Sequence, residues 1–540
     1  MALSLCRQQV DPAALPWEII VHVLAFLPGR DRLAASSVCS RWRACLFHPS
    51  LWPRLHLRLA GPATRSERVG DVNRGNEEKG REDDRDNNGD DGENVGHCLQ
   101  AAAFLVRRCG AFVRDFSLAI EVVGRGFVSG DGSLDALRSH AAAAVALLRP
   151  LARNRNLEKL ALLGDSVVDV LGPTIGTDTV VQNLSYTLLD PDNEKSKELQ
   201  WLLRQLLRSC KRLRWLSLAF MLEAAAPDLL QTLPSTTLAS LQHLSLLRLH
   251  GSLPLDNSGG DALPLLRPAE ASRLMALRCL ALDAPDFTAE LAQALARRGD
   301  ATPLSRLCLL LHHQHPRLSK SLDGMPQDQD WRALATRNPL LRVYVMAVGV
   351  GAEPLHRLFR PGLPLERLHL DGCPGVSTAL LDNVGQQYNR WLSHMLLVRE
   401  MNDMGPPALN LNTDRAEDPL VLLAWKCSHL ARLTVHGYLM WDYDIVAIAR
   451  LRGPSLLVLE VTEESLDFDL EALQLAEGLE GRQPQSGWRT YREDPLKMLE
   501  HQVATALGRQ WAPTPLGHKL DVFNQPTWTF CREVESFGID

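Results

Sequence analysis

This chain has no long apolar run, little net charge and no closely paired cysteines, and each gap removes a class of protein. No stretch approaches the roughly 18 apolar residues that a membrane span needs. The most apolar segment, around Ala141–Leu148, is short and rich in alanine. The opening MALSLCRQQVDPAALP has no signal-peptide core, because charge and proline interrupt it within a few residues. A formal charge of −6 does not suit a general nucleic-acid binder. Most of it is local: residues 61–96 hold 11 Asp/Glu against 6 Lys/Arg, a balance of −5. The 11 cysteines are scattered without a CxxC pair, the usage of reduced thiols in a cytoplasmic or nuclear protein.

Catalytic motifs are also missing. There is no P-loop, nucleophile elbow or HExxH, so the sequence nominates no catalytic residue, no cofactor and no metal. His312, His313 and His315 in LLLHHQHPRL form the densest histidine cluster. Zinc would require a fourth donor and a rigid frame; the plainer reading is solvated histidines where a strand turns into its loop. GRGFVSGDG (124–132) misses the dinucleotide-binding spacing and reads as a loop. The acidic VTEESLDFD (461–469) reads either as a docking face for a basic partner or as a solvated loop and helix start.

What the chain does have is an apolar surplus near its N-terminus, in LPWEIIVHVLAFLPGRDRLAASSVCSRWRACLFHPSLW (15–52). Pro16 and Glu18 suit a helix start, and nearly every position from Trp17 to Leu27 is apolar. Asp31 can cap a second helix and Ser40 a third, which ends before Pro49. A helix apolar all round must be buried all round. Covering Ile19, Ile20, Val23, Leu24, Phe26 and Leu27 is worth roughly 1.5–3 kcal/mol each. One face can pack on the other two helices; the rest needs a neighbouring domain or a partner. The position of the unit, ahead of a charged tract, favours a partner.

Further along, Leu-x-x-Leu-x-Leu keeps returning. Copies start at Leu157, Leu213, Leu241, Leu277, Leu304 and Leu365, with looser ones at Val113, Leu184, Leu341, Leu392, Leu430 and Leu456. Successive starts from 277 onward differ by 27, 37, 24, 27, 38 and 26 residues. The shorter intervals match a leucine-rich repeat, and the longer ones are the same unit with a loop insertion. Each copy alternates like a half-buried strand, and helix-like segments such as FTAELAQALARRGD lie between copies. Strand then helix, repeated, builds a solenoid in which each unit buries its leucines on its neighbours. The Asn or Cys that normally follows the last leucine is mostly absent; Cys373 alone stands in its place, so an irregular arc is expected.

In the N-terminal stretch, Leu15-Pro16-x-Glu18-Ile19-Ile20, Phe26-Leu27, Asp31-Arg32-Leu33, Val38-Cys39-x-Arg41-Trp42-Arg43 and Leu51-Trp52 resemble an F-box. Strings such as CGAFVRDF, NRNLEKLALLGD, RVYVMAV, EDPLVLLAWKC and IVAIARLRG, spread over most of the chain, tie it to one branch of the F-box proteins that carry leucine-rich repeats. The resemblance implies docking onto a Skp-type adaptor, which links to cullin and RING subunits. By position, Leu15, Pro16, Ile19, Ile20, Val23, Leu24 and Val38 would meet the adaptor, while Trp42 and Trp52 close the unit's own core.

The expected fold is therefore α/β: a small three-helix F-box, then an irregular leucine-rich-repeat solenoid with parallel strands on one face and helices on the other. The expected boundaries are 11–59 for the F-box, 60–97 for an acidic linker, 98–470 for the solenoid and 471–540 for a C-terminal cap. The resemblance implies a non-catalytic substrate receptor of a Skp–cullin–F-box ubiquitin ligase, which presents an unknown protein substrate for degradation. The alternative is an interaction scaffold without ubiquitin transfer. Neither reading includes a direct nucleic-acid or membrane partner. Arg214, Trp215, Trp391, Arg399, Trp425 and Trp441, on or near repeat loops, are candidate substrate anchors, because interfaces favour Trp and Arg. Each could equally pack between repeats.

Overall fold

A computed structural model describes residues 15–60, 90–121, 132–164, 194–219, 229–247, 266–299, 301–313, 324–399, 410–411, 417–468, 495–515 and 526–537. The chain divides into two units, one of residues 1–167 and 187–241, the other of 168–186 and 242–540. The repeat expected at Leu184, the glycine-rich 124–131, His315 and most of the acidic tract lie outside the described residues.

The first unit opens with three short helices, α1 (Trp17–Ala25), α2 (Gly29–Ala35) and α3 (Ser40–Cys45). Pro16 and Pro28 stand just before the first two, so Asp31 lies in the first turn of α2 and does not cap it. Four parallel strands follow: β1 (Arg54–Ala60), β2 (Asp115–Glu121), β3 (Lys159–Gly164) and β4 (Trp215–Ser217). β2 to β4 form where the repeats place them. β1 does not; it follows directly on the F-box, and Arg54 pairs with Asp115. The expected boundary at 59/60 thus cuts a strand, whose alternating RLHLRLA is a period-2 pattern. The expected linker 60–97 also runs into a helix, Asp90–Cys109, whose opening acids suit a helix N-terminus.

The second unit carries eight parallel strands, each paired with the next: β5 (His243–Leu246), β6 (Cys279–Asp283), β7 (Arg306–His312), β8 (Arg342–Val348), β9 (Leu365–Asp371), β10 (His394–Val398), β11 (Arg432–His436) and, after a short strand β12 (Met440–Trp441), β13 (Val458–Val461). β12 pairs with a second short strand, β14 (Leu466–Asp467). Successive side chains on a strand point to opposite faces. Leu280 and Leu282 in β6, Leu307 and Leu309 in β7, and Leu368 and Leu370 in β9 therefore share one face, and all are fully buried. That face carries the helices between strands. Several start on a capping side chain: Thr288 accepts from the Leu291 N–H, Ser377 from Leu380 and Asp418 from Leu420.

Two joints between repeats carry a buried asparagine ahead of the strand and not after it. Three residues before two repeat leucines, Asn154 and Asn338 are buried. Asn154 Nδ2 donates to the Gly110 and Val113 carbonyls at 2.7 and 2.6 Å. Asn338 Nδ2 donates to Leu334, and its Oδ1 accepts the Leu304 N–H at 2.7 Å. These side chains pair backbone groups of the preceding repeat that a buried loop would leave unsatisfied. The expected Cys373 does the same on the strand's far side: its thiol donates to the Ala347 carbonyl, and Sγ accepts the Val350 N–H.

Two other sequence readings change. His312 is not a solvated turn histidine: it is the last residue of β7, buried and stacked on His313 at 4.6 Å. Among the described residues, no group of His, Cys, Asp and Glu could hold a metal ion. The acidic string is part of the packing, since Ser465 accepts the Gly437 N–H and the Thr462 hydroxyl meets both Ser465 and His436. The nine described cysteines are free, and all but Cys39 are buried. No described helix is long and apolar enough to cross a membrane.

Candidate functional site

The N-terminal helices divide the apolar surplus into two faces. Ile20, Val21 and Leu24 of α1 are buried, together with Cys45, Leu46, Leu51 and Trp52. That packing is the unit's own core. α1 lies against α3 and against the short 3-10 turn Pro49–Leu51. Trp52 is locked there by its Nε1–H, which donates to the Leu46 carbonyl at 2.6 Å.

Arg32 ties the parts together. Its guanidinium donates to the carbonyls of Leu24 (2.9 Å), Ala25 (3.2 Å) and Leu51, and lies 5.7 Å above the Trp52 ring. The C-terminal end of α1 would otherwise leave carbonyls unpaired. A guanidinium, with five donors in a fixed fork, can serve two of these and the Leu51 carbonyl at once.

On the opposite side, Pro16, Ile19, Val23 and Phe26 form a stripe at helical spacing. Ile19 is 46% exposed and Phe26 78%; from the rest of the unit, Trp17, Leu33 and Val38 are also exposed, Val38 at 66%. His22 meets the edge of Phe26 at 4.9 Å and does not cover it. Isolated exposed apolar residues are ordinary, but four in a row at helical spacing, Pro16 to Phe26, mark an interaction surface.

Of the seven residues nominated for the adaptor, Pro16, Ile19, Val23 and Val38 are exposed and Leu15 is half-buried. Ile20 and Leu24 are fully buried inside the unit. Phe26, Trp17 and Leu33 were not nominated yet stand exposed; for Phe26 the signal was available, since it continues the 19–23 spacing by a further turn.

The six residues nominated for the substrate do not converge. In the first unit, Arg214 is exposed, while Trp215 is buried beneath the Lys159 ammonium, 4.0 Å from its ring centroid. In the second, Trp391 precedes β10 and carries the Arg342 guanidinium 3.9 Å above its ring. Arg399 follows β10, its N–H donating to the His436 carbonyl. Trp441 in β12 stacks on Tyr443, and Trp425 projects from the helix Pro419–Lys426 in the helical layer. They occupy both ends of the strands and the layer behind them.

The open sheet face of the second unit holds the residues that sequence reading passed over. Arg306, Arg367, His394 and Arg432 stand there at x positions of Leu-x-x-Leu-x-Leu; Tyr344 joins them because β8 pairs one residue out of the register expected from Leu341, with Val343 and Val345 opposite Leu307 and Leu309. Arg306 pairs with Glu366 and Arg432 with Glu460. Burial holds His394 well down, to about 4, and Arg367, Arg432 and Arg306 press it the same way. Two of the three arginines are thus matched by carboxylates of the sheet itself, and His394 is held uncharged near neutral pH.

Comparison with known proteins fits this geometry. Residues 12–58 match the F-box-like family. F-box only protein 33 of Homo sapiens is 36% identical over 565 residues, covering all of this chain and 89% of that protein. F-box only protein 33 of Mus musculus is 36% identical over 572 residues with the same coverage. F-box/LRR-repeat protein 21 of Mus musculus is 38% identical over 55 residues, 10% of this chain and 13% of that protein.

Proposed function

The chain belongs to the family of F-box only protein 33, and on that footing we propose that it is the substrate-recognition subunit of a Skp–cullin–F-box ubiquitin ligase. The observation that carries this reading is the bare apolar stripe Pro16–Ile19–Val23–Phe26 with Val38, on a unit whose core is already filled by Ile20, Leu24 and Trp52. The stripe takes a Skp-type adaptor, and cullin and RING subunits follow through it. On this reading residues 11–59 are the docking unit, 98–470 hold the target, and 471–540 close the repeat region. The work takes place in the cytoplasm or nucleus.

The chain needs no acid, base or metal of its own for this role. It contributes proximity, by holding a target lysine beside the charged conjugating enzyme and raising its effective concentration. The test is affinity purification from proteasome-inhibited cells, comparing the full chain with Ile19→Asp/Val23→Asp. Deleting residues 1–59 would remove most of β1 and disturb the sheet. The expected result is loss of adaptor and cullin with the variant while other bound proteins remain. Cullin absent from both preparations overturns the ligase reading in favour of a scaffold.

A further inference from the structure

The open face of β5–β9 is occupied. The helix Pro526–Ser536, near the end of the chain, lies on it and buries Phe530, Cys531 and Val534. The Tyr344 ring of β8 meets Phe530 at 4.7 Å and Phe537 at 6.3 Å, both edge-on. The guanidinium groups of Arg306 (β7) and Arg367 (β9) lie 5.2 and 4.8 Å from the Phe537 ring centroid. Glu533 is 3.7 Å from Arg367, and Glu535 is 3.7 Å from His243 of β5. The contacts reach from β5 to β9, about 19 Å at the usual strand spacing.

Three features mark this helix as an occupant and not as a layer of the fold. It adds no strand to the sheet, and as the last described element it can leave without interrupting a repeat. Only residues 516–525 link it to Pro515. Its chemistry complements the face as a ligand's would: Arg306 and Arg432 find carboxylates within the sheet, whereas the carboxylate of Arg367 comes from Glu533 on the helix. Aromatic pairs and cation–π contacts are directional, so they select a partner as well as hold it.

We propose that the open face of β5–β9 is a recognition site for an acidic, aromatic helical segment of a target protein, and that the helix Pro526–Ser536 holds this site in the unliganded chain. The segment it takes carries aromatics seven residues apart (the places of Phe530 and Phe537), an aliphatic residue at the place of Val534 and carboxylates at those of Glu533 and Glu535. Tyr344, Arg306, Arg367 and His243 read it. The inference rests on the receptor reading above for its biological sense but stands on different residues.

The test keeps the whole chain. A protease site placed within 516–525 lets the protein fold with its helix and then be cut. The probe is a fluorescein-labelled peptide of residues 524–540. Before cutting, the protein should refuse the probe; after cutting, the probe should exchange in and bind. A Phe530→Ala/Phe537→Ala peptide should bind at least roughly 30-fold more weakly. Arg367→Glu in the chain should weaken the probe, and a Glu533→Arg peptide should recover part of that loss, which shows that the two side chains pair directly. A helical peptide of unrelated sequence carrying the same five side chains should compete. If the cut protein keeps its helix and takes up no probe, or if the aromatic substitutions do not matter, the proposal is wrong and the helix is a permanent part of the fold. If the unrelated peptide fails to compete, the stated target chemistry is wrong. Adaptor capture is read in the same preparation: adaptor bound without probe exchange sinks this inference alone, and probe exchange without adaptor sinks the ligase reading alone.

Discussion

Ile19 and Ile20 are neighbours in sequence with opposite surroundings, and exchanging each for alanine separates folding from docking. Ile20 is fully buried against α3 and the turn before Trp52, whereas Ile19 is 46% exposed. Truncating a buried Ile to Ala costs roughly 2–5 kcal/mol, the lost transfer energy plus a cavity term. A helical unit this small holds only about 3–5 kcal/mol of its own. Ile20→Ala should therefore open a large fraction of residues 15–52. Ile19→Ala removes surface that is half in water already, so its stability cost should stay below about 1 kcal/mol. Against the adaptor the order changes, because truncating a central apolar contact costs roughly 1–2 kcal/mol, or about 5- to 30-fold in affinity. The assay is hydrogen exchange over residues 15–52 in the full chain, beside a titration with purified adaptor. Ile20→Ala should lose protection throughout α1 and α3; Ile19→Ala should keep native protection and bind more weakly. Equal loss of protection in the two variants, or unchanged affinity in Ile19→Ala, refutes the assignment of faces.

Arg32→Ala removes a donor from the carbonyls of Ala25 and Leu51 and leaves Leu24 with only its backbone donor, so amide exchange should quicken at the end of α1 while β5–β11 stay unchanged; the expected cost is roughly 1.5–3 kcal/mol. Asn338→Ala leaves the buried Leu304 N–H without its acceptor, at roughly 1–3 kcal/mol, and Asn338→Asp, which keeps that acceptor but sets a buried carboxylate oxygen against the Leu334 carbonyl, should cost at least as much; proteolysis near β7 reads both. Asp444 is pushed up to about 7 by burial and then by Asp418 and Asp442. A carboxylate raised in the folded state keeps a proton there that the unfolded chain has released above about pH 4, so its penalty is absent below that pH and grows as pH rises toward and through 7. Asp444→Asn should therefore raise the melting temperature at pH 8 and shift it little at pH 4; an equal gain at both would show that charge is not the cause.

The strands were legible because leucine spacing is a packing requirement. The described strands β2 to β11 and β13 each begin within three residues of an expected start. What the pattern could not show is which residues of the other sheet face are covered. Tyr344 reads like any strand residue, and only the folded chain brings Phe530, almost 190 positions later, against it. Residues chosen by type, such as Trp391 and Trp425, landed apart because tryptophan enrichment describes interfaces in general and not the side of a repeat on which a residue stands. In the F-box the error was one of phase. An all-apolar α1 hides its own division into faces, so Ile20 and Leu24 were grouped with Ile19 and Val23. β1 was missed because its RLHLRLA lacks the leading leucine three places earlier that marks the other copies, and has Pro53 next to its start instead.

The two surfaces differ in how they are kept before a partner arrives, and that difference sets what each can bind. Among the described residues nothing covers the stripe on α1, so an adaptor of matching shape meets no competitor from them. The face of β5–β9 carries a tethered occupant, and tethering over about ten residues gives an effective concentration on the order of millimolar. A target present at about 1 μM must then exceed the helix in intrinsic affinity by roughly a thousandfold, or about 4 kcal/mol, to hold the face half the time. Few helices of similar composition would reach that threshold through the same five side chains. A successful target must add contacts beyond the footprint of the helix. Specificity on this face is thus a difference between two affinities, with the occupant rejecting weak acidic helices that Arg367 and His243 would otherwise collect. Removing the helix should widen the range of peptides bound while leaving adaptor affinity untouched, and that asymmetry follows only if the occupant and the stripe are independent devices.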